Sequence, residues 1–202
     1  MVNKYLGYDE KKYDMRHEEQ KAAAKKIIMR IAFWLISVPC VIFAAIFLCK
    51  ISLDKTAVPN TSMEPTLEYG DHIIIDTLSY RFSSPDRFDV IVILRKQADH
   101  EIYDVKRIYG LPGETVCIKD GKILVNDKEI KEQVKVDDME LAGVASEPIT
   151  LNDNEYFVLA DNRNDAEDSR YTGYGLVKEE NIIGRAWIRT DSFGFINLFN
   201  KK

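Results

Sequence analysis

Covalent hydrolysis needs a nucleophile, a base to take its proton and donors for the charge that develops. Histidine is the usual base, and the chain has three: His17, His72 and His100. His72 opens an apolar run and His100 sits in the charged stretch Gln97–Glu101. Neither stands in a turn with other polar catalytic types, so both read as structural or surface residues rather than members of a Ser-His-Asp triad. A nucleophile here must be activated otherwise. A lysine kept neutral by desolvation can do it. Lys106 interrupts Ile102–Tyr109, whose alternation puts Ile102, Asp104, Lys106 and Ile108 on one strand face. On that segment alone, a cation protecting an edge strand is the plainer reading. Ser62 stands in Val58-Pro59-Asn60-Thr61-Ser62-Met63-Glu64-Pro65-Thr66-Leu67. The prolines three residues to either side restrict the backbone and present the loop between them. Taken alone, Ser62 is either a nucleophile or a turn residue. Cys40, Cys49 and Cys117 form no C-x-x-C pair, which leaves neither a zinc motif nor a disulfide framework.

The elements that must position these residues divide the chain. Residues 1–49 carry eight Lys/Arg against five Asp/Glu, and residues 50–202 carry 20 against 28. An acidic region of about 150 residues can bury a core, but it is unsuited to gripping nucleic acid. Its many β-branched and aromatic residues exclude disorder. Between the two, Ile31–Cys49 runs for nineteen residues without a charge. As a helix it spans about 28 Å, close to a bilayer's hydrocarbon core of about 30 Å. It is too long for the apolar region of a cleaved signal peptide, and Lys50-Ile51-Ser52-Leu53-Asp54 offers no small-x-small cleavage site. We therefore expect residues 1–26 to be a cytoplasmic segment, 27–49 a transmembrane anchor and 50–202 an extracytoplasmic β domain. Arg16, Lys21, Lys25, Lys26 and Arg30 precede the run, while Lys50 and Lys55 follow it. The positive-inside rule then puts the N-terminus in the cytoplasm and the acidic domain outside the plasma membrane.

Beyond the anchor the pattern is that of strands. Runs rich in Ile and Val occupy His72–Leu78, Asp89–Leu94, Tyr103–Tyr109, Thr115–Ile118, Lys122–Val125, Glu155–Leu159 and Ile182–Ile188, bounded by turn residues. Asp120-Gly121 predicts a tight hairpin. The fold class is mainly β on one N-terminal transmembrane helix, and the apolar tail Ser192–Phe199 is either a last strand or a segment dipping into the bilayer.

Three blocks resemble one family. Ser62-Met63-x-Pro65-Thr66 resembles the nucleophile motif of bacterial type I signal peptidases. Lys106-Arg107-Ile108-Tyr109-Gly110-Leu111-Pro112-Gly113-Glu114 is similar to their lysine motif. Asp161-Asn162-Arg163-Asn164-Asp165-Ala166-Glu167-Asp168-Ser169-Arg170 is similar to their acidic, arginine-bearing motif. The order is the family's, Gly70-Asp71 fits a shorter block between them, and the likeness covers residues 25–190. It implies an all-β serine endopeptidase that cuts signal peptides from exported preproteins after small residues. Ser62 would be the nucleophile and Lys106 the base. The Ser62 N–H would serve the oxyanion, with Asn60, Met63 and Val105 beside it in oxyanion and substrate binding. Arg107, Asp161, Asp168, Ser169 and Arg170 would support the site. No metal or organic cofactor is implied. The expected partners are preprotein signal peptides and the bilayer, near the secretion translocase. The family's endoplasmic-reticulum type has histidine in place of this lysine.

Two positions depart from the pattern. Asn60 replaces a serine whose hydroxyl completes the oxyanion hole in some relatives. Ala166 replaces a serine that binds the lysine, leaving Ser169 or a water to orient Lys106. Other readings are a specialised pilin-type processing peptidase and a non-catalytic membrane-anchored binding module of the same fold. A self-cleaving repressor is disfavoured by the anchor.

Overall fold

The computed structural model describes residues 3–97 and 100–196. The chain divides into two units, residues 1–50 and 51–202. In the first, helix α1 runs Asn3–Ser52. The polar N-terminal stretch is thus helical almost throughout, and α1 continues through Pro39. Ala24–Phe47 is long and apolar enough to cross a membrane. Its large apolar side chains, among them Phe33, Leu35 and Phe43, are exposed on every face. A helix apolar all round needs an apolar surrounding rather than one buried stripe.

The second unit is built of β1 Leu53–Ala57, β2 His72–Asp76, β3 Val90–Gln97, β4 His100–Gly110, β5 Thr115–Lys119, β6 Lys122–Val125, β7 Lys128–Glu129, β8 Ile149–Thr150, β9 Glu155–Leu159, β10 Val177–Lys178, β11 Ile182–Arg189 and β12 Gly194–Phe195. One antiparallel sheet has the order β1-β2-β11-β3-β4-β9-β10, with β12 paired to β11; the other has the order β7-β6-β5-β8. All seven expected strands form. At the hairpin between β5 and β6, Asp120 and Gly121 both have positive φ, 51° and 76°. Those angles suit a turn whose twist matches that of its strands. The tail supplies β12, and Ile196 is buried against the core; Asn197-Leu198-Phe199 lies outside the described residues.

β4 is the positioning element. It is central, flanked by β3 from His100 to Arg107 and by β9 at its C-terminal end. This removes the edge-strand reading of Lys106, which is opposite Ile91 with its side chain almost wholly buried. Beneath it Val58, Met63, Leu67, Ile73, Ile75, Val90, Val92 and Val105 form one apolar cluster. His72 caps the start of β2, its Nδ1 3.2 Å from Asp191 Oδ2, as a surface residue would be. The side chains of His17 and His100 lie outside the described residues.

Candidate active site

The loop of residues 58–71 joins β1 to β2 and carries Ser62. It is closed at its base, where Val58 N–H donates to the Asp71 carbonyl and Gly70 N–H to the Val58 carbonyl. Gly70, with φ of 87°, makes the bend that lets these bonds form. Met63 and Leu67 are both fully buried and pin the loop to the apolar cluster. Apolar burial therefore fixes the residue next to the hydroxyl, and Ser62 itself is only 5% exposed.

On β4, Lys106 Nζ lies 2.9 Å from Ser62 Oγ, 2.7 Å from Asp104 Oδ1 and 3.2 Å from the Val105 carbonyl oxygen. A neutral amine has two N–H donors and one lone pair. As an ammonium, Lys106 donates to all three. As a neutral amine it gives its two N–H groups to the Asp104 carboxylate and the Val105 carbonyl, which can only accept, and the lone pair faces the Ser62 hydroxyl, whose other acceptor is the Val105 carbonyl at 3.4 Å. Burial drives the Lys106 pKa below its ordinary value, outweighing the opposing pull of Asp104 and Asp168; Arg95 pushes it further down. The pair can therefore work as a serine nucleophile with an amine base.

The third motif, residues 160–170 after β9, locks this arrangement. Asp161 receives Arg107 Nε on Oδ1 at 2.9 Å and Arg107 Nη2 on Oδ2 at 2.6 Å. Thr66 Oγ1, in the serine loop, donates to the same Oδ2 at 2.5 Å. Asn162 N–H donates to the Ser62 carbonyl at 3.0 Å. One carboxylate thus ties the serine loop to the lysine strand. Asp168 receives Arg170 Nε and Nη2 at 2.8 and 2.9 Å, and the Ala160 N–H at 3.0 Å. Arg170 reaches on to the carbonyls of Leu141 and Arg163. Both ion pairs are almost wholly buried.

Four expected residues sit differently from a simple reading. Ser169 Oγ accepts the Val158 N–H, and its own N–H donates to the Val158 carbonyl, so it braces β9 and does not orient Lys106. Asn60 turns its carbonyl, not its amide nitrogen, toward Ser62: Oδ1 accepts the Ser62 N–H at 3.1 Å, while Nδ2 donates to Asp104 Oδ1 at 3.3 Å. The opposite amide orientation would set donor against donor. Met63 and Val105 lie in the core cluster with no exposed surface.

The residue that sequence reasoning missed is Asp104. Its position two residues from Lys106 on the same strand face was the available signal. Tyr174, whose hydroxyl donates to Asp104 Oδ2 at 2.9 Å, was also missed. A further buried cluster joins Arg163 to Tyr109 and Glu132, at 2.7 and 2.9 Å, and anchors the segment after β7.

Residues 30–190 match the family of signal peptidases, peptidase S26. A probable signal peptidase I-2 of Synechocystis is 38% identical over 139 residues, which cover 65% of this chain; the chain spans only 60% of that relative's length. The signal peptidase I V of Bacillus subtilis is 30% identical over 167 residues, covering 77% of this chain and 96% of the relative. A solved signal peptidase I from Enterococcus faecalis aligns at 30% identity and a TM-score of 0.42, over 51% of this chain and 97% of that one. With a serine loop, a lysine strand and an acidic motif all inside the matched span, the chain belongs to the signal peptidase, peptidase S26 family.

Proposed function

We propose that this chain is a membrane-bound serine endopeptidase that removes N-terminal signal peptides from exported preproteins after small residues. The observation that carries the reading is the buried 2.9 Å contact between Ser62 Oγ and Lys106 Nζ, with the amine's two N–H groups already engaged. Ser62 Oγ attacks the scissile carbonyl carbon as its proton passes to the Lys106 lone pair. The new O–C bond forms while the carbonyl π pair moves onto oxygen. That oxyanion displaces Asn60 Oδ1 from the Ser62 N–H, a main-chain donor next to the nucleophile. The carbon–nitrogen bond then breaks, and the departing amine takes a proton from the Lys106 ammonium. Water attacks the acyl-serine with neutral Lys106 as base, releasing the signal peptide carboxylate and restoring Ser62.

Lysine at its solution value near 10.4 is almost all ammonium at neutral pH, so burial is what makes it usable as a base. Arg107–Asp161 holds the serine loop to the lysine strand, and Arg170–Asp168 braces the third motif. Ala24–Phe47 anchors the chain in the lipid bilayer of the plasma membrane. The excess of basic residues before the run supports residues 1–26 in the cytoplasm and residues 50–202 outside. From there the site meets preproteins as they leave the secretion translocase. The test is to incubate the full chain in detergent with a preprotein bearing a small-x-small site and to sequence the new N-terminus. Cleavage after the second small residue is expected. Cleavage elsewhere, or none by a folded protein, overturns the reading.

A further inference from the structure

We propose that Asp104 is a positioning residue that completes a buried Ser62–Lys106–Asp104 relay, aiming the amine lone pair at the serine and receiving the charge when the amine becomes an ammonium. The inference rests on the function proposed above. Its ground is geometric. Asp104 is the shortest contact of Lys106 Nζ, at 2.7 Å, and its residue is only 5% exposed. The other hydrogen-bond partners of Lys106 Nζ are the Ser62 hydroxyl at 2.9 Å and the Val105 carbonyl at 3.2 Å.

The carboxylate is itself held from four directions. The Val105 N–H donates to Oδ1 at 2.9 Å and Asn60 Nδ2 to Oδ1 at 3.3 Å. Tyr174 donates to Oδ2 at 2.9 Å, and Arg95 Nη1 stands 4.0 Å from Oδ2. The Arg95 guanidinium lies over the Tyr174 ring, 3.8 Å from its centroid, which fixes the two together. These contacts come from β3, β4, the serine loop and the segment between β9 and β10. Asp104 therefore cannot swing away when Lys106 changes its proton count.

This arrangement works in two directions. As acceptor for one N–H, Asp104 turns the lone pair toward Ser62. As counter-charge, it stabilises the ammonium formed in the acyl-transfer step, but it also draws the resting lysine toward the charged form. Arg95 opposes that pull. The charged and titratable groups facing Lys106 are Asp104 on β4, Arg95 on β3, and Asp168 and Tyr174 from the segments after β9.

The experiment follows the Lys106 titration by carbon-13 NMR of labelled lysine in the detergent-solubilised full chain, beside kcat/KM against pH. Asp104→Asn keeps an acceptor oxygen but removes the charge. Its lysine midpoint should fall by about one pH unit or more. The acid limb of kcat/KM should move down with it, while the high-pH plateau drops about tenfold or more as the amine loses its aim. Arg95→Gln, at a partly exposed side chain where folding is not at risk, should move midpoint and limb upward. A merely structural role for Asp104 would lower activity without moving the midpoint. The proposal is overturned if the Asp104→Asn midpoint stays or rises, if both variants shift the same way, or if the limb fails to follow the midpoint. Should Asp104→Asn not fold, the direction of the Arg95→Gln shift decides alone. The titration needs no substrate, so a wild-type chain that cuts no preprotein sinks the function proposed above while the midpoints still judge Asp104.

Discussion

Asp161→Ala removes the carboxylate on which the serine loop, the lysine strand and the third motif converge. The Asp161 side chain is fully buried and Arg107 nearly so, and Arg107 makes two hydrogen bonds to it. Removing one partner of a buried ion pair costs about 3–5 kcal/mol, because the other charge is left uncompensated. Thr66 loses its acceptor as well, but that bond shares the same oxygen, so about 4 kcal/mol in all is the expected loss. Against a typical total stability of about 5–15 kcal/mol, this is a large fraction. With a urea slope of about 2 kcal/mol/M, the midpoint should fall by about 2 M. The assay is urea unfolding of the full chain in detergent, followed by near-ultraviolet circular dichroism. Arg107→Met combined with Asp161→Leu should recover most of the loss, since apolar replacement of both charges is close to neutral. A midpoint for Asp161→Ala within about 0.5 M of wild type would refute the reasoning, given the same slope. So would a double variant no more stable than the single one.

Two further outcomes concern the lysine and the oxyanion. Because burial lowers the Lys106 pKa in the folded chain, the unfolded chain binds more protons between that lowered value and about 10.4. The stability of wild type relative to Lys106→Met should therefore rise with pH through this window, measured as urea midpoints at successive pH values; a flat or falling difference contradicts the burial argument. Asn60→Ala should lower kcat/KM by no more than about tenfold, since the Asn60 carbonyl only occupies the Ser62 N–H until substrate arrives and its amide makes the longest of the hydrogen bonds that hold Asp104. A loss of about 10²–10³ would instead identify its amide as an oxyanion donor.

Much of the fold was readable because β-branched runs alternate with turn residues, and seven of the eight longer strands and the Asp120-Gly121 hairpin follow from that; β1, Leu53–Ala57, has no such run. The two-residue strands β7, β8, β10 and β12 carry no period of their own and exist only through their partners. At the site, residue types and spacing left Ser62 and Lys106 open, and only the resemblance of their motifs to a family's named them. Alternation even put Asp104 on the face of Lys106, yet two charges two apart on a strand look like an ordinary surface pair. Only burial gives them meaning, and Tyr174, which holds Asp104, comes from 70 residues further along the chain. The Asn60 amide was legible as a neighbour of the serine but not in its direction, which Asp104 dictates. Met63 and Val105 flank the dyad in sequence, but apolar side chains next to a buried pair are drawn into the core first.

The central claim is that Ser62 and Lys106 act together as nucleophile and base. The most direct test compares Ser62→Ala and Lys106→Ala with wild type on one preprotein, at matched folded content by circular dichroism. Both variants should lose activity on the order of 10⁴-fold or more, and combining them should cost no more than either alone, as for residues that act as a unit. Appreciable cleavage by folded Lys106→Ala, or losses that multiply in the double variant, would contradict the account.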